Sequence, residues 1–444
     1  MSKKKQKSME ELLEEALVPE EEQPYKVPEN WVWVWFKEVV QSISNGKKQI
    51  PQKYYKENGL LPVVDQGQQL ISGYTDKFEL RFSDELPVII FGDHTKCIKW
   101  IDFDFVQGAD GTKILKPLEL IYPKYLYYLL QNVNLPDKGY SRHFKYLKET
   151  PLPIAPLSEQ KRIAEKIERL FGKIDEAKRL IEEVKESFEL RRAAILDRAF
   201  GGRLGTNDPK EKSMFETFNE LTEKDLIPKE EQPYEVPKNW VWVKTGAIFE
   251  QIKEQVLPVG NETYVGLEHL IKGGGISHTE LAKDIKSKKV VFKKGDVLYG
   301  KLRPYLNKHA VVDFDGVAST DILVLRTEHK YLNQLLDYYL GLPSTIDYAV
   351  SNSNGINLPR VSPKKMNDLP FPLPPKNEWK RIVKILDKML YNLIEEQTLI
   401  EQLEAELISL KNSILYKAFR GELGTNDPTD EHAIELLKEV LKSK

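Results

Sequence analysis

The sequence predicts an α+β fold. Two mixed α/β domains stand in a pseudo-twofold arrangement, separated by two long helices that form an antiparallel coiled coil. Three observations carry this: long stretches of the chain occur twice, each copy contains an extended heptad pattern, and strand-like runs fill the segments between.

The duplication is explicit. The stretch 23–34, with Pro28 and Trp31, returns as 232–243 with Pro237 and Trp240. The stretch 199–209, Ala-Phe-Gly-Gly-Arg-Leu-Gly-Thr-Asn-Asp-Pro, returns as 418–428 with two changes. Lys161, Arg162 and Ile163 are matched by Lys380, Arg381 and Ile382. The period far exceeds the roughly 20–50 residues of a solenoid unit, so a whole domain plus helix is repeated. The expected segments are an N-terminal helical segment (1–22), a first variable domain (23–152), a central long helix (153–205), a linking helical segment (206–231), a second variable domain (232–371), a distal long helix (372–424) and a C-terminal helical segment (425–444). Glu435, Leu436 and Leu437 resemble the start of the segment that opens the chain. The chain therefore begins and ends inside one repeat element, which predicts a cyclic arrangement with its termini close together.

Each long helix follows a proline cluster. In the first copy Ser158, Glu159 and Gln160 look like an N-cap with an acidic first turn. Apolar residues then fall at Ile163, Ile167, Leu170, Ile174, Ala177, Ile181, Val184 and Phe188, an unbroken 4-3 spacing. The second copy runs from Ile382 through Leu386, Met389, Leu393, Ile400, Leu403, Leu407 and Leu410 to Ile414, interrupted at Glu396. Gly201 and Gly421 are the expected helix ends. About 40 residues make a rod of roughly 60 Å. Two such seams in one chain most simply pair with each other, antiparallel if the units are related by a twofold. Phe171, Leu180 and Leu190 widen the apolar face beyond the seam, enough to hold a partner protein.

The variable domains carry strand signals at 61–64 and 87–91, and at 290–292, 296–299 and 321–325. Helices are expected at 122–132 and 331–341. The frames are alike and the inserts differ, as in one scaffold presenting two recognition surfaces.

Composition narrows the functional classes. Hydrophobic residues make up 41 %, enough for large cores, while the net charge of -2 gives no global basic field. Binding to nucleic acid must then rest on local patches. The single cysteine, Cys97, excludes a disulfide framework and a four-cysteine zinc site. Residues 1–6 are basic with no apolar run behind them, unlike a signal peptide. No stretch approaches the roughly 20 apolar residues of a membrane helix, so a cytoplasmic protein with no membrane partner is expected.

Catalytic signatures are missing from the sequence. Asn134-Leu135-Pro136 lacks the second proline and the aromatic of a base-clamping methyltransferase motif. The glycines at 108 and 111 are too close for a phosphate loop, and the run Gly273-Gly274-Gly275 reads as a flexible loop. His94 and Cys97 can meet as a dyad, but a polar turn leaving a strand explains them better. The expected catalytic and metal residues are therefore none.

Basic and amide-rich loops are present in both domains. Residues 283–308 hold nine Lys or Arg against Asp284 and Asp296. Within them Lys301, Arg303, Asn307 and Lys308 alternate with aromatics and glycine. Asn352, Asn354, Asn357 and Arg360 follow. The first domain offers Lys47, Lys48, Gln68, Gln69, Arg142 and Lys145. Lysine and arginine neutralise phosphates, and arginine, asparagine and glutamine can pair with base edges. These fourteen residues are the DNA-binding candidates.

The paired Pro-x-x-Trp motifs at 27–34 and 236–243, with 156–163, resemble the specificity subunit of Type I restriction–modification systems. Gly92-Asp93-His94, the turn 108–111 and 302–308 also resemble that family's recognition domains. The second copy departs, with Glu378-Trp379 where the family usually has Glu-Gln, which puts a local cap in question. The resemblance spans essentially the whole chain. It implies two target recognition domains that each read half of a bipartite double-stranded DNA site, with the helices acting as a ruler. It implies docking of DNA methyltransferase (modification) subunits and an ATP-dependent restriction subunit. S-adenosylmethionine, ATP and Mg would then belong to those partners, with no cofactor in this chain and no catalysis by it. The rivals are a coiled-coil adaptor with two protein-binding heads, the recognition part of a related restriction–methylation system, and a combined nuclease–methyltransferase, which the missing motifs oppose.

Overall fold

A computed structural model describes residues 8–46, 48–109, 111–139, 141–218 and 221–442. The chain forms two compact units, residues 1–180 with 402–444 and residues 181–401.

The variable domain of the first unit is framed by its own ends. Val32–Trp35 pairs antiparallel with Pro151–Ile154, so the chain enters and leaves the domain side by side. Inside lie two four-stranded sheets, among the described residues. One is antiparallel, in the order Val40–Ile43, Thr112–Pro117, Val88–Gly92 and Ile98–Ile101. The other sets Val106–Gly108 parallel to both Gln49–Ile50 and Leu61–Val64, with Gly73–Thr75 at the edge. Val88, Ile89, Ile90 and Phe91 are all fully buried, as a run apolar on both faces requires.

The second unit repeats the plan. Val241–Lys244 pairs with Pro370–Leu373 as the frame. One sheet runs Glu250–Ile252, Ile322–Arg326, Val297–Gly300 and His309–Val311, and a five-stranded sheet stands beside it. The expected runs at 61–64, 87–91, 290–292, 296–299 and 321–325 each coincide with a strand to within one residue. The helices Pro123–Asn132 and Lys330–Leu340 match the expected ones to within a residue.

The long helices run Leu157–Phe200 and Lys376–Ala418. They pair within each unit. In the first, the Lys411 ammonium lies 3.3 Å from Asp175 and 4.5 Å from the centre of the Phe171 ring. In the second, Arg191 lies 2.6 Å from Glu396. Further along, Lys166 donates to the Leu423 carbonyl just beyond the second helix, and Arg381 to that of Thr206 just beyond the first. Rising numbers on one helix meet falling numbers on the other, so the pairing is antiparallel. The seam also packs on the domains: Ile163, Ile167 and Ile174 share a core with Tyr125, Tyr128 and Phe419. Towards the helix centres the pattern overstates burial, because Val184, Leu403 and Leu410 remain exposed.

Three local expectations need correction. The first helix starts at Leu157, so Ser158 lies inside the first turn rather than capping it. Pro156 precedes, and its carbonyl takes the Gln160 N–H. The left-handed residue after that helix is Gly202 (φ 65°), not Gly201; Gly421 (φ 73°) is its counterpart. At both positions an added Cβ would meet a proline ring at 2.3 Å, Pro237 against Gly202 and Pro28 against Gly421. Glycine is thus required for its backbone and for space. Thirdly, Trp379 preserves the local cap. Gln160 donates to the Ala155 carbonyl, and the Trp379 indole donates to that of Pro374, the equivalent position.

The two duplicated motifs meet at a buried carboxylate. Glu159, fully buried, accepts from the Trp31 indole (2.7 Å), the Thr425 hydroxyl (3.2 Å) and the Asn426 amide (2.9 Å). Glu378 accepts from Trp240 (2.8 Å), Thr206 (2.7 Å) and Asn207 (3.1 Å). In the first unit this joins the two ends of the chain. There the helices Met9–Ala16 and Ala433–Lys442 pack in one core, so the expected cyclic closure is found.

Glu159→Ala takes the carboxylate from the buried Trp31 and Thr425 donors and from the half-buried Asn426 amide, which keeps only Asn30, and should cost about 3–5 kcal/mol. Urea unfolding followed by fluorescence should show the first unit's transition moving and the second's staying, and Glu378→Ala should give the reverse. A loss under about 1 kcal/mol would remove the hub role from this residue.

Candidate nucleic-acid interface

In the second domain the candidates converge on two adjacent loops. After Val297–Gly300 the chain turns through a short 3-10 segment, Pro304–Leu306. Arg303 (φ 52°) and Asn307 (φ 47°) flank it in the left-handed region. Asparagine tolerates that conformation, but arginine there costs on the order of 1–3 kcal/mol. Hydrogen bonds hold it: the Arg303 N–H donates to Pro359, and its carbonyl accepts from Leu306. Leu302 bridges to Arg360, and Val361 donates to the Lys301 carbonyl. The Arg303 turn is therefore fastened to the hairpin made by Ser353–Asn354 and Arg360–Val361.

The side chains then divide. Arg303, Asn354 and Asn357 are exposed on these loops. The exposed Arg360 pairs with Asp321 at 2.6 Å. Burial pushes the Lys301 ammonium below the ordinary lysine range, with Asp321 opposing and Arg360 adding to the effect. Asn307 is buried, and its carbonyl accepts from Gly273. The Asn352 amide caps the Tyr348 carbonyl. Lys308 donates to the Leu267 carbonyl at 2.5 Å. Asn307, Asn352 and Lys308 thus build the surface from beneath. The triple-glycine run is no free loop either. Gly273 donates to Asn307, Gly275 to His309, and the Gly273 carbonyl accepts from Arg192 on the long helix.

In the first domain three segments are linked. The loop after Leu61–Val64 carries Gln68 and Gln69, both exposed. Gln66 accepts from the His94 N–H and the Thr95 hydroxyl, tying that loop to the turn after Val88–Gly92. Asp93 in turn accepts from the backbone of His143 and Phe144. Those bonds place the exposed Arg142 and Lys145 on the same network, with Lys145 4.7 Å from the Tyr146 ring centre. Lys48 instead reaches the Ser83 hydroxyl. Lys47 lies outside the described residues. Sequence reading takes Asp93 only as part of the Gly92-Asp93-His94 resemblance and leaves Gln66 and His143 out of its DNA-binding candidates, because the bonds by which they join distant loops have no local pattern.

His269, His278 and Glu280 also come together. The His269 Nδ1 accepts from the Gly266 N–H, which leaves the ring proton on Nε2, facing Glu268 and Glu280. That tautomer opposes a metal at Nε2.

The profile of the Type I restriction modification DNA specificity domain matches the chain twice, over residues 28–186 and 220–405. The chain belongs to this family. It is 27 % identical to the EcoDI specificity subunit of Escherichia coli, over 77 % of this chain and 78 % of that one. It is 25 % identical to the EcoBI specificity subunit of the same species, over 62 % of this chain and 59 % of the relative. The HsdS subunit from Thermoanaerobacter tengcongensis has the same fold, with a TM-score of 0.53 at 19 % identity over 90 % of this chain and all of that one. A chain from a structure concerning complex assembly and conformational transition of the type I system reaches a TM-score of 0.63, also at 19 % identity, over 90 % of this chain and all of that one. Each of the two matched segments contains one strand-paired frame and its variable insert.

Arg303→Ala should relax preference at one base pair by about 1–3 kcal/mol. Lys301→Ala should weaken binding to all sequences alike and lower the salt slope by about 0.9. Competition binding against a randomised pool at several salt concentrations separates the two. Unchanged affinity in both variants would place the interface elsewhere.

Proposed function

We propose that each variable domain reads one half of a bipartite duplex DNA target and that the long helices set the spacer between the halves. The observation that carries this is the repetition of one frame around two different loop surfaces. One exposes Gln68, Gln69, Arg142 and Lys145, and the other Arg303, Asn354 and Asn357. Amides and guanidinium groups make the bidentate contacts that distinguish adenine and guanine. The chain supplies sequence recognition, and the chemistry belongs to partners. Methyltransferase subunits and an ATP-dependent restriction subunit bring S-adenosylmethionine, ATP and Mg.

The exposed apolar residues of the long helices suit such docking. Leu180 and Leu190 on the first, and Tyr391, Ile394 and Ile408 on the second, are all at least 48 % exposed. Isolated apolar residues are ordinary on a surface, and Tyr391 with Ile394, one turn apart, is the pair here that lies side by side.

Selection of bound DNA from a random pool should return two short fixed sequences separated by a constant spacer. Inserting seven residues near Lys185 and seven near Glu404 preserves the heptad face and adds roughly 10 Å. The half-sites should persist while the spacer grows by about three base pairs at ~3.4 Å each. An unaltered spacer in the folded variant would refute the ruler, and altered half-sites would assign base reading to the helices.

A further inference from the structure

In each variable domain a lysine ammonium is directed at the backbone of a loop. Lys99, on Ile98–Ile101, is 4 % exposed. It donates to the carbonyls of Asp65 (2.8 Å) and Gln69 (2.5 Å), while the nearest Asp65 carboxylate oxygen is 4.0 Å away. The loop thus closes around one ammonium, with Gln68, Gln69 and Leu70 exposed at its tip. The Asp65 carboxylate completes the closure by accepting from Gly67 and Ser72. In the second domain Lys308 donates to Leu267.

The two ties are built from different positions. Gly92 donates to the Cys97 carbonyl, and Gly300 donates to that of Lys308. In this register Lys308 takes the place of Cys97, and Lys99 lies two residues further along. Side chains two apart on a strand share a face. The tied carbonyls also follow matching strands. Leu61–Val64 lies parallel to Val106–Gly108, and Thr263–Val265 lies parallel to Gly316–Ala318. Asp65 follows the first strand directly, and Leu267 follows the second by two residues. Both domains therefore fasten the loop after the same inner strand to the same face of the neighbouring hairpin.

The Lys99 ammonium is buried and must find acceptors, Lys308 is half-buried, and charge-assisted bonds to carbonyls are roughly twice as strong as neutral ones. Such a bond fixes the carbonyl direction, and with it the direction of the side chains that follow. We propose that Lys99 and Lys308 are positioning residues for sequence recognition. Lys99 holds the loop that carries Gln68 and Gln69, and Lys308 holds the 267–273 turn that bonds to Asn307 beside Arg303, so that each domain's exposed side chains meet base edges in one orientation. This rests on the DNA-reading function proposed above. It also moves Lys308 from phosphate contact to internal support.

The test uses the full chain and the variants Lys99→Met and Lys308→Met. Random-pool selection should show Lys99→Met relaxing one half-site and Lys308→Met the other, each by about tenfold. The second half-site and the spacer should be unchanged in each case. The salt slope should equal that of the parent, whereas a lost phosphate contact lowers it by about 0.9. A lower slope, or weaker binding with both preferences intact, would overturn the proposal. Lys99→Arg and Lys308→Arg keep the charge and should recover part of the preference. Hydrogen exchange decides the tie without DNA: amides of Gly67–Leu70 in Lys99→Met, and of residues 267–273 in Lys308→Met, should exchange faster. Unchanged exchange would refute the tether. A parent chain that selects no sequence would instead refute the recognition function, and the exchange result would still stand.

Discussion

Two buried carboxylates, Glu159 and Glu378, organise this protein. Each takes hydrogen bonds from an indole, a hydroxyl and an amide, and each of those donors lies in a duplicated stretch. A carboxylate out of water is costly unless its lone pairs are filled, so the three stretches must meet for either unit to be stable. In the second unit the threonine and tryptophan motifs are close in sequence. In the first they lie at opposite ends of the chain, with the bonded Asn30 and Asn426 separated by 396 positions. Loop-closure entropy grows only logarithmically with length. One joint can therefore close a short connection and a nearly chain-long one. Arg162 and Arg381 reinforce it in the same way, donating to the Thr425 and Thr206 carbonyls and pairing with Asp430 and Glu211.

The joint explains how one frame holds dissimilar inserts. Val32–Trp35 with Pro151–Ile154, and Val241–Lys244 with Pro370–Leu373, bring the ends of each insert together beside the carboxylate. Whatever lies between the paired strands needs only to start and finish there. Sheets of four strands in one unit and of four and five in the other meet that condition equally. Sequence can diverge inside the insert except where it packs on the helix, as Tyr125 and Tyr128 do.

This division also decides what the sequence reveals. The duplication, the strand runs and the long helices are legible because they rest on repetition and periodicity. The hub is half-legible. Glu159 reads as an ordinary first-turn acid, and only its recurrence as Glu378, together with the paired Thr-Asn motifs, marks it. The candidate loops are the least legible. Asn307, Asn352 and Lys308 have the right chemistry for DNA, but Asn307 is buried and the other two donate to carbonyls, and no local pattern tells a side chain that faces outward from one that faces a loop. Those bonds join residues up to 41 positions apart in chain segments with no shared period. The glycine run at 273–275 misleads for the same reason, since its partners, Asn307, His309 and Arg192, lie on other elements.

Base reading by the proposed loops would require them to be stiff. A side chain that must be ordered on binding loses about 0.5–1.5 kcal/mol of affinity, and a loop loses more. Rotational freedom also blurs the difference between a correct and an incorrect base, since a mobile arginine can pair with either of two neighbours. Here the stiffness comes from the backbone: a left-handed Arg303 held at Pro359, an Asp65 loop closed on an ammonium, and a Gly273 turn tied to the long helix at Arg192. The last tie matters most for a divided target. It connects the helix to the same turn that supports Asn307, so the direction in which the second domain's loop points is set by the element that carries the domain. A surface fixed to its rod in this manner can couple which bases are read to where along the duplex they are read.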